Sequence, residues 1–194
     1  MMTRDWTGNA QSTHTVNIRR ADAAAGDYYA TAPRAVELLL EQERFEHPIW
    51  EPACGEGHIS ETLKAHGLDI YASTDLYDRG YGLALVDFLS IPDTGLCCDV
   101  ITNPPYKCAK EFVSKALEVV ADGCKVAMFL KLTFLEGQRR RELFKKFPPR
   151  VVYVSSARLE CGKNGVFTGE SAVAYCWIVW VKGWQGDTVI RWIN

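Results

Sequence analysis

From Pro48 onward, short apolar runs alternate with helical segments, and this rhythm restricts the fold more than any other feature of the chain. "PIWEPACG" enters a glycine turn, and Ile59 and Leu63 then begin a helix that Gly67 ends. "DIYASTDL", "DVITN", "KVAMFLKLTFL" and "RVVYVSSARL" read as further strands, with helices predicted over Ala109 to Val120 and Gln138 to Phe147. In the first of these, Phe112, Val113, Ala116, Leu117 and Val120 recur at three- and four-residue spacing and make one buried stripe. Ahead of them, Ala35, Val36, Leu38, Leu39 and Leu40 follow Pro33, a proline suited to a first helical turn. Strands separated by helices require right-handed crossovers, hence an α/β fold with a mainly parallel sheet and helices on both faces. The tail breaks the rhythm. "SAVAYCWIVWVKG" and "TVIRWI" are strand-like with no helix between them, which predicts an antiparallel hairpin closing one sheet edge.

Residues 1 to 26 show no sustained period and few large apolar residues, so an extended or partly disordered arm is expected there. The 194 residues, 47% hydrophobic and 24% charged, fit one folded domain. Neither a long apolar span nor a basic-then-apolar leader is present, so a cytoplasmic protein without membrane association is expected. The seven cysteines show no CxxC pair and no histidine cluster close in sequence, which predicts reduced core thiols and no metal. Charge is uneven. Residues 1 to 102 carry 7 Lys and Arg against 16 Asp and Glu, whereas residues 103 to 194 carry 15 against 8, an asymmetry suited to an anionic partner.

Two stretches carry the chemistry. Glu51 to Gly57, "EPACGEG", leaves the first strand of the alternation and opens a helix, where an open parallel sheet places its ligand crevice. Gly55 and Gly57 let the main chain approach a ligand, with Glu51 and Ala53 beside them. Ser60 breaks the GxGxxG pattern, so pyrophosphate is not the expected ligand. Asp75 ends the next strand about twenty residues on, where a carboxylate accepts from ribose hydroxyls. Asp87 is placed to accept from an adenine amine, with Phe88 against the ring. The second stretch, Asn103-Pro104-Pro105-Tyr106, ends the "DVIT" strand. Pro104 and Pro105 have fixed backbone angles and no N–H, so the Pro104 carbonyl points in one direction. Together with the Asn103 side-chain oxygen it offers two acceptors to a planar NH2 group, and these stabilise positive charge developing on that nitrogen as it attacks an electrophile. Tyr106 offers a flat surface for a ring. Lys107 and Lys110, beside this turn, are candidate phosphate contacts.

These residues together resemble the class I S-adenosylmethionine-dependent methyltransferases, most nearly the N6-adenine DNA methyltransferases. The similarity covers roughly residues 27 to 181. It matches Glu51 to Gly57 to the cofactor loop, Asp75 and Asp87 to the ribose- and adenine-binding acids, and Asn103 to Tyr106 to the (D/N)PP(Y/F) catalytic motif. "DYYATAP" matches the N-terminal element that closes over the methionyl end, implying contacts from Tyr29 and Thr31, although Ala32 stands where the family usually has proline. The resemblance implies a Rossmann-like, seven-stranded sheet with a C-terminal antiparallel hairpin, residues 27 to 194 forming one methyltransferase domain without a separate target-recognition domain. It implies S-adenosylmethionine as cofactor and DNA as the nucleic-acid partner, with direct in-line methyl transfer to the N6 of a flipped-out adenine. Phe167, in the loop before the last apolar strands, would then pack on the base. The same motif also serves methylation of RNA adenine or of a protein glutamine amide. An inactive, nucleic-acid-binding methyltransferase-like module would require a broken motif, and Asn103 to Tyr106 are intact. Oligomeric state is not legible; a monomer is compatible with the sequence.

Overall fold

The computed structural model describes residues 28 to 163, 165 to 168 and 173 to 194; the arm expected over residues 1 to 26 lies outside them. Its elements in chain order are β1 (Tyr29–Thr31), α1 (Pro33–Leu40), β2 (Ile49–Glu51), α2 (His58–Ala65), β3 (Ile70–Ser73), β4 (Asp99–Thr102), α3 (Ala109–Val119), β5 (Lys125–Lys131), α4 (Arg141–Lys146), β6 (Val151–Ser155), β7 (Cys161–Lys163), β8 (Tyr175–Val181) and β9 (Val189–Ile193). Seven strands form a mixed sheet in the order β3-β2-β4-β5-β8-β6-β9. The strands β3, β2, β4 and β5 run parallel, as the alternation predicts.

Alternate side chains of the central strands divide the core between two faces. Ile49, Ile101, Phe129 and Trp177 point to one face and pack with α1 and α2. Trp50, Val100, Met128 and Trp180 point to the other, where α3 contributes the predicted stripe of Phe112, Val113, Ala116 and Leu117 and α4 contributes Leu143. Helices therefore cover both faces.

The tail requires a correction. The last two strands do not pair with each other: β8 lies between β5 and β6 and is antiparallel to both, while β9 runs parallel to β6 at the edge. The side chains explain this outcome. All of "YCWIVWV" except its last valine is buried, a continuous apolar run that needs cover on both faces and so takes a central position. In β9 only Ile193 is buried, which suits an edge. The helix expected over Gln138 to Phe147 is also shorter. Gln138–Arg140 is a 3-10 turn, because the Arg140 guanidinium folds back on the carbonyls of Thr133 (2.9 Å) and Glu136.

A second, two-stranded antiparallel sheet pairs β1 with β7, with Thr31 opposite Cys161 and Tyr29 opposite Lys163. It joins the "YAT" segment to a loop more than a hundred residues away and lays both across the carboxyl ends of the central strands.

Candidate active site

A cavity of about 580 Å³ opens at those carboxyl ends, bounded by β1, the β2–α2 turn, the ends of β3 and β4, and the Asn103 turn. That volume lies within the range typical of small-molecule and cofactor sites. It brings together most of the residues singled out above: Tyr29, Thr31, Glu51, Ala53, Gly55, Asp75, Asp87, Phe88, Asn103, Pro104, Pro105, Tyr106 and Lys107 all line it. Gly57, Lys110 and Phe167 do not.

The glycine turn is fixed by the acid that follows β3. Gly55 has φ +55°, and its N–H donates to Asp75 Oδ2 at 2.8 Å. A side chain at Gly55 would meet the Tyr28 ring at 3.1 Å. Asp75 also accepts from the Tyr77 N–H at 2.8 Å, is buried and lines the cavity, so it clamps the turn and a second loop at the cavity wall. Gly57 has another role: its N–H closes the turn on the Cys54 carbonyl at 2.7 Å, and a side chain there would strike the Tyr81 ring.

Glu51, at the end of β2, accepts from the Ser60 N–H at 2.9 Å and from the Ser60 hydroxyl. Burial pushes its carboxyl up to about 8, against the lowering effect of the Ser60 bonds and with the charge of Asp75 adding to the rise. Asp87 caps a 3-10 turn, accepting from the Leu89 N–H (3.1 Å) and the Ser90 hydroxyl (2.7 Å). Phe88, in that turn, is a core residue packed edge-on against Trp50 at 5.2 Å as well as a wall of the cavity.

The Asn103 turn follows β4. Asn103 Nδ2 donates to the Tyr29 carbonyl at 2.7 Å. Since a carbonyl can only accept, this bond fixes which way the amide points and leaves Oδ1 turned the other way. Oδ1 is shielded from solvent and has no hydrogen-bond partner among the described residues. Thr31 Oγ1, also in the cavity wall, is in the same condition. A buried polar atom without a partner is costly, and both of these belong to residues of the cavity wall. The Pro105 carbonyl accepts from the Cys108 N–H at 3.1 Å, within the turn itself.

The Tyr106 ring is enclosed. Tyr29 lies at 5.8 Å and Tyr175 at 6.1 Å between centroids, and Lys131 Nζ is 4.7 Å from its centre. Its hydroxyl lies 3.5 Å from Cys161 Sγ. Burial, then Cys161, raise its phenol well above the ordinary tyrosine value, so it stays neutral. Burial likewise pushes the Cys161 thiol up, opposed by its hydrogen bonds with Tyr106, Tyr175 and Asn103. Sequence reasoning missed Cys161, Tyr175, Arg79 and His58; Arg79 and His58 also line the cavity. Cys161 reaches Asn103 only through the β1–β7 pairing, which no local pattern announces.

Phe167 stands edge-on to His58 at 5.7 Å, at the start of α2, which sets it on the glycine-turn side. Lys107 and Lys110 are both exposed beside the Asn103 turn. Two other members of the basic half are engaged internally: Arg150 pairs with buried Glu43, and Arg140 lies over Phe134 at 4.9 Å. Among the described residues, no helix is long and apolar enough to cross a membrane.

No family model matches the chain, and no curated protein matches it. Solved structures do. A Listeria monocytogenes protein described as a class I S-adenosylmethionine-dependent methyltransferase is 12% identical with a TM-score of 0.57, covering 81% of this chain and 62% of its own. A Vibrio vulnificus protein described as the modification subunit of a type I restriction enzyme is 14% identical with a TM-score of 0.58, covering 92% and 50%. An Agrobacterium tumefaciens protein described as an O-methyltransferase is 14% identical with a TM-score of 0.56, covering 83% and 85%. The chain thus spans about half to three-fifths of the length of the first two. It has the Rossmann-like fold of class I methyltransferases, and at these identities the likeness is one of fold.

Proposed function

We propose that this chain methylates the exocyclic N6 amine of adenine in DNA, using S-adenosylmethionine. The observation that carries the reading is the Asn103 amide, whose nitrogen is tied to Tyr29 while its buried Oδ1 faces no partner, immediately before two prolines. In this reading Oδ1 and the Pro104 carbonyl accept the two hydrogens of the incoming NH2 and stabilise the positive charge that grows on its nitrogen. The proton is then lost to water, so no strongly basic side chain is needed. The cavity fits the cofactor: Asp75 would hold the ribose, Asp87 and Phe88 the adenine, the Gly55 turn the backbone side and Thr31 the methionyl end. The cofactor supplies an electrophilic methyl group on a sulfonium.

DNA is supported by two features. The Vibrio vulnificus neighbour is described as belonging to a restriction enzyme, and exposed Lys107 and Lys110 stand beside the Asn103 turn, where phosphates flanking an extruded base would run. The test is incubation with tritiated S-adenosylmethionine and separate DNA, RNA and protein pools, followed by nucleoside and amino-acid analysis. Label in N6-methyldeoxyadenosine is expected. Label confined to RNA or to glutamine would replace the acceptor, and no label in any pool would remove the activity.

A further inference from the structure

We infer that the chain carries a zinc site at the amino-terminal ends of the parallel strands, opposite the cavity, formed by His47, Cys97 and Cys124. The three residues are far apart in sequence, and the topology brings them together. Strands β2, β4 and β5 are parallel neighbours, with Ile49 in register with Asp99 and Val100 with Val126, so their starts lie side by side at one end of the sheet. His47 lies two residues before β2, Cys97 two before β4 and Cys124 one before β5. One donor atom from each lies within 4.8 Å of the other two.

Zinc is bound by thiolates at about 2.3 Å and by imidazole at about 2.0 to 2.1 Å, which places two ligand atoms of one tetrahedral ion about 3.5 to 4 Å apart. The observed spacing needs only a small contraction to reach that. Two sulfurs and one imidazole nitrogen form a soft donor set that favours zinc over magnesium or calcium, and three protein ligands leave a fourth position for water. A second, independent observation supports the site. The Asp99 carboxylate, 1% exposed, stands 3.3 Å from His47 Nδ1 and is itself anchored by the Lys125 N–H at 2.6 Å. A fixed carboxylate on the ring of a ligating histidine orients it and raises its basicity. Cys124 is buried, while exposed Cys97 and half-buried His47 leave a way in for the ion. Bound there, zinc pins the three segments that lead into the parallel half of the sheet, so its effect falls on stability.

The test uses the full chain, purified reduced, stripped with chelator and dialysed against zinc, with metal content measured by mass spectrometry. Uptake of about one zinc per chain is expected, and cobalt(II) in its place should give an intense thiolate-to-cobalt absorption band. Both should vanish in Cys97→Ser, whose exposed position leaves the core intact, and persist in Cys108→Ser. Zinc should raise the melting temperature of the parent chain and not that of Cys97→Ser. Failure to retain zinc, equal retention by Cys97→Ser, or a Cys97–Cys124 disulfide forming with no metal uptake would each overturn the site. None of these outcomes depends on methyl transfer.

Discussion

Asn103 Nδ2 and the main-chain carbonyl of Tyr29 are 2.7 Å apart, although the residues are separated by 74 positions. The bond ties the end of β4 to β1, and β1 is itself held across the cavity by pairing with β7. The small sheet thus sets the direction of the amide. Whatever shifts β1 also turns the Asn103 oxygen.

If Asn103 Oδ1 accepts from the substrate amine, Asn103→Ala removes one acceptor from the charged transition state and leaves the cofactor's contacts at Asp75 and Asp87 in place. Turnover should fall about 10²- to 10³-fold, the usual cost of one preorganised polar group. Isothermal titration should show cofactor affinity changed little. A turnover equal to the parent's would exclude Asn103 from the chemistry.

In the proposed reading Asp75 would act on the cofactor site in two ways, since it clamps the Gly55 and Tyr77 amides and lines the cavity. Asp75→Ala leaves two N–H groups without their acceptor and would remove the proposed ribose contact. Cofactor affinity should drop at least about tenfold, equivalent to about 1.4 kcal/mol, with a stability loss of about 1 to 3 kcal/mol from the freed amides. Calorimetric binding and thermal melts separate the two losses. Unchanged affinity would show that the carboxylate serves the loop alone.

How far the sequence could be read depended on whether the determining contacts were local. The α3 stripe from Phe112 to Leu117 is set by neighbours a few residues away, and the turns at Gly55 and Asn103 begin where local patterns end β2 and β4, although Asp75 and Tyr29 hold them from a distance. The position of β8 was hidden because a fully apolar strand declares only that it is central, not which strands flank it. Cys161 beside Tyr106, and His47 beside Cys97 and Cys124, were hidden for a related reason: each grouping exists only after distant strands have aligned. Gly57 lies outside the cavity lining. Its letter fits a ligand-contacting glycine, but its φ of +87° serves the helix start, and Tyr81 occupies the space a side chain would need.

Glu51 gives stability a pH dependence of definite sign. Burial raises its carboxyl from 4.5 to about 8, so the folded chain keeps a proton there that the unfolded chain releases. Within that window the folded state binds more protons, and stability falls as pH rises. The stability is greatest below about pH 4.5 as far as this group is concerned, and its contribution is lost by about pH 8. Glu51→Gln keeps an acceptor for Ser60 and cannot ionise. Melts between pH 5 and 8 should show the parent losing a few kcal/mol relative to Glu51→Gln across that range. Parallel pH profiles for the two proteins would show that Glu51 is already ionised when folded.

In the proposed reading, Lys107 and Lys110 would grip DNA by its phosphates. Of the basic half, Arg150 and Arg140 are engaged internally and Lys145 pairs with Glu142 at 3.2 Å, whereas Lys107 and Lys110 are exposed beside the Asn103 turn. Each lysine that neutralises a phosphate releases condensed counterions, and the logarithm of affinity falls against the logarithm of salt by about 0.9 per contact on duplex DNA. Replacing both Lys107 and Lys110 with alanine should therefore reduce the salt slope by about 2 and weaken binding to a similar degree across unrelated sequences. Fluorescence anisotropy over a salt series measures both quantities. A double variant with the parent's slope would move the phosphate track away from this turn, and a slope near zero in the parent would remove phosphate contact from the account of binding.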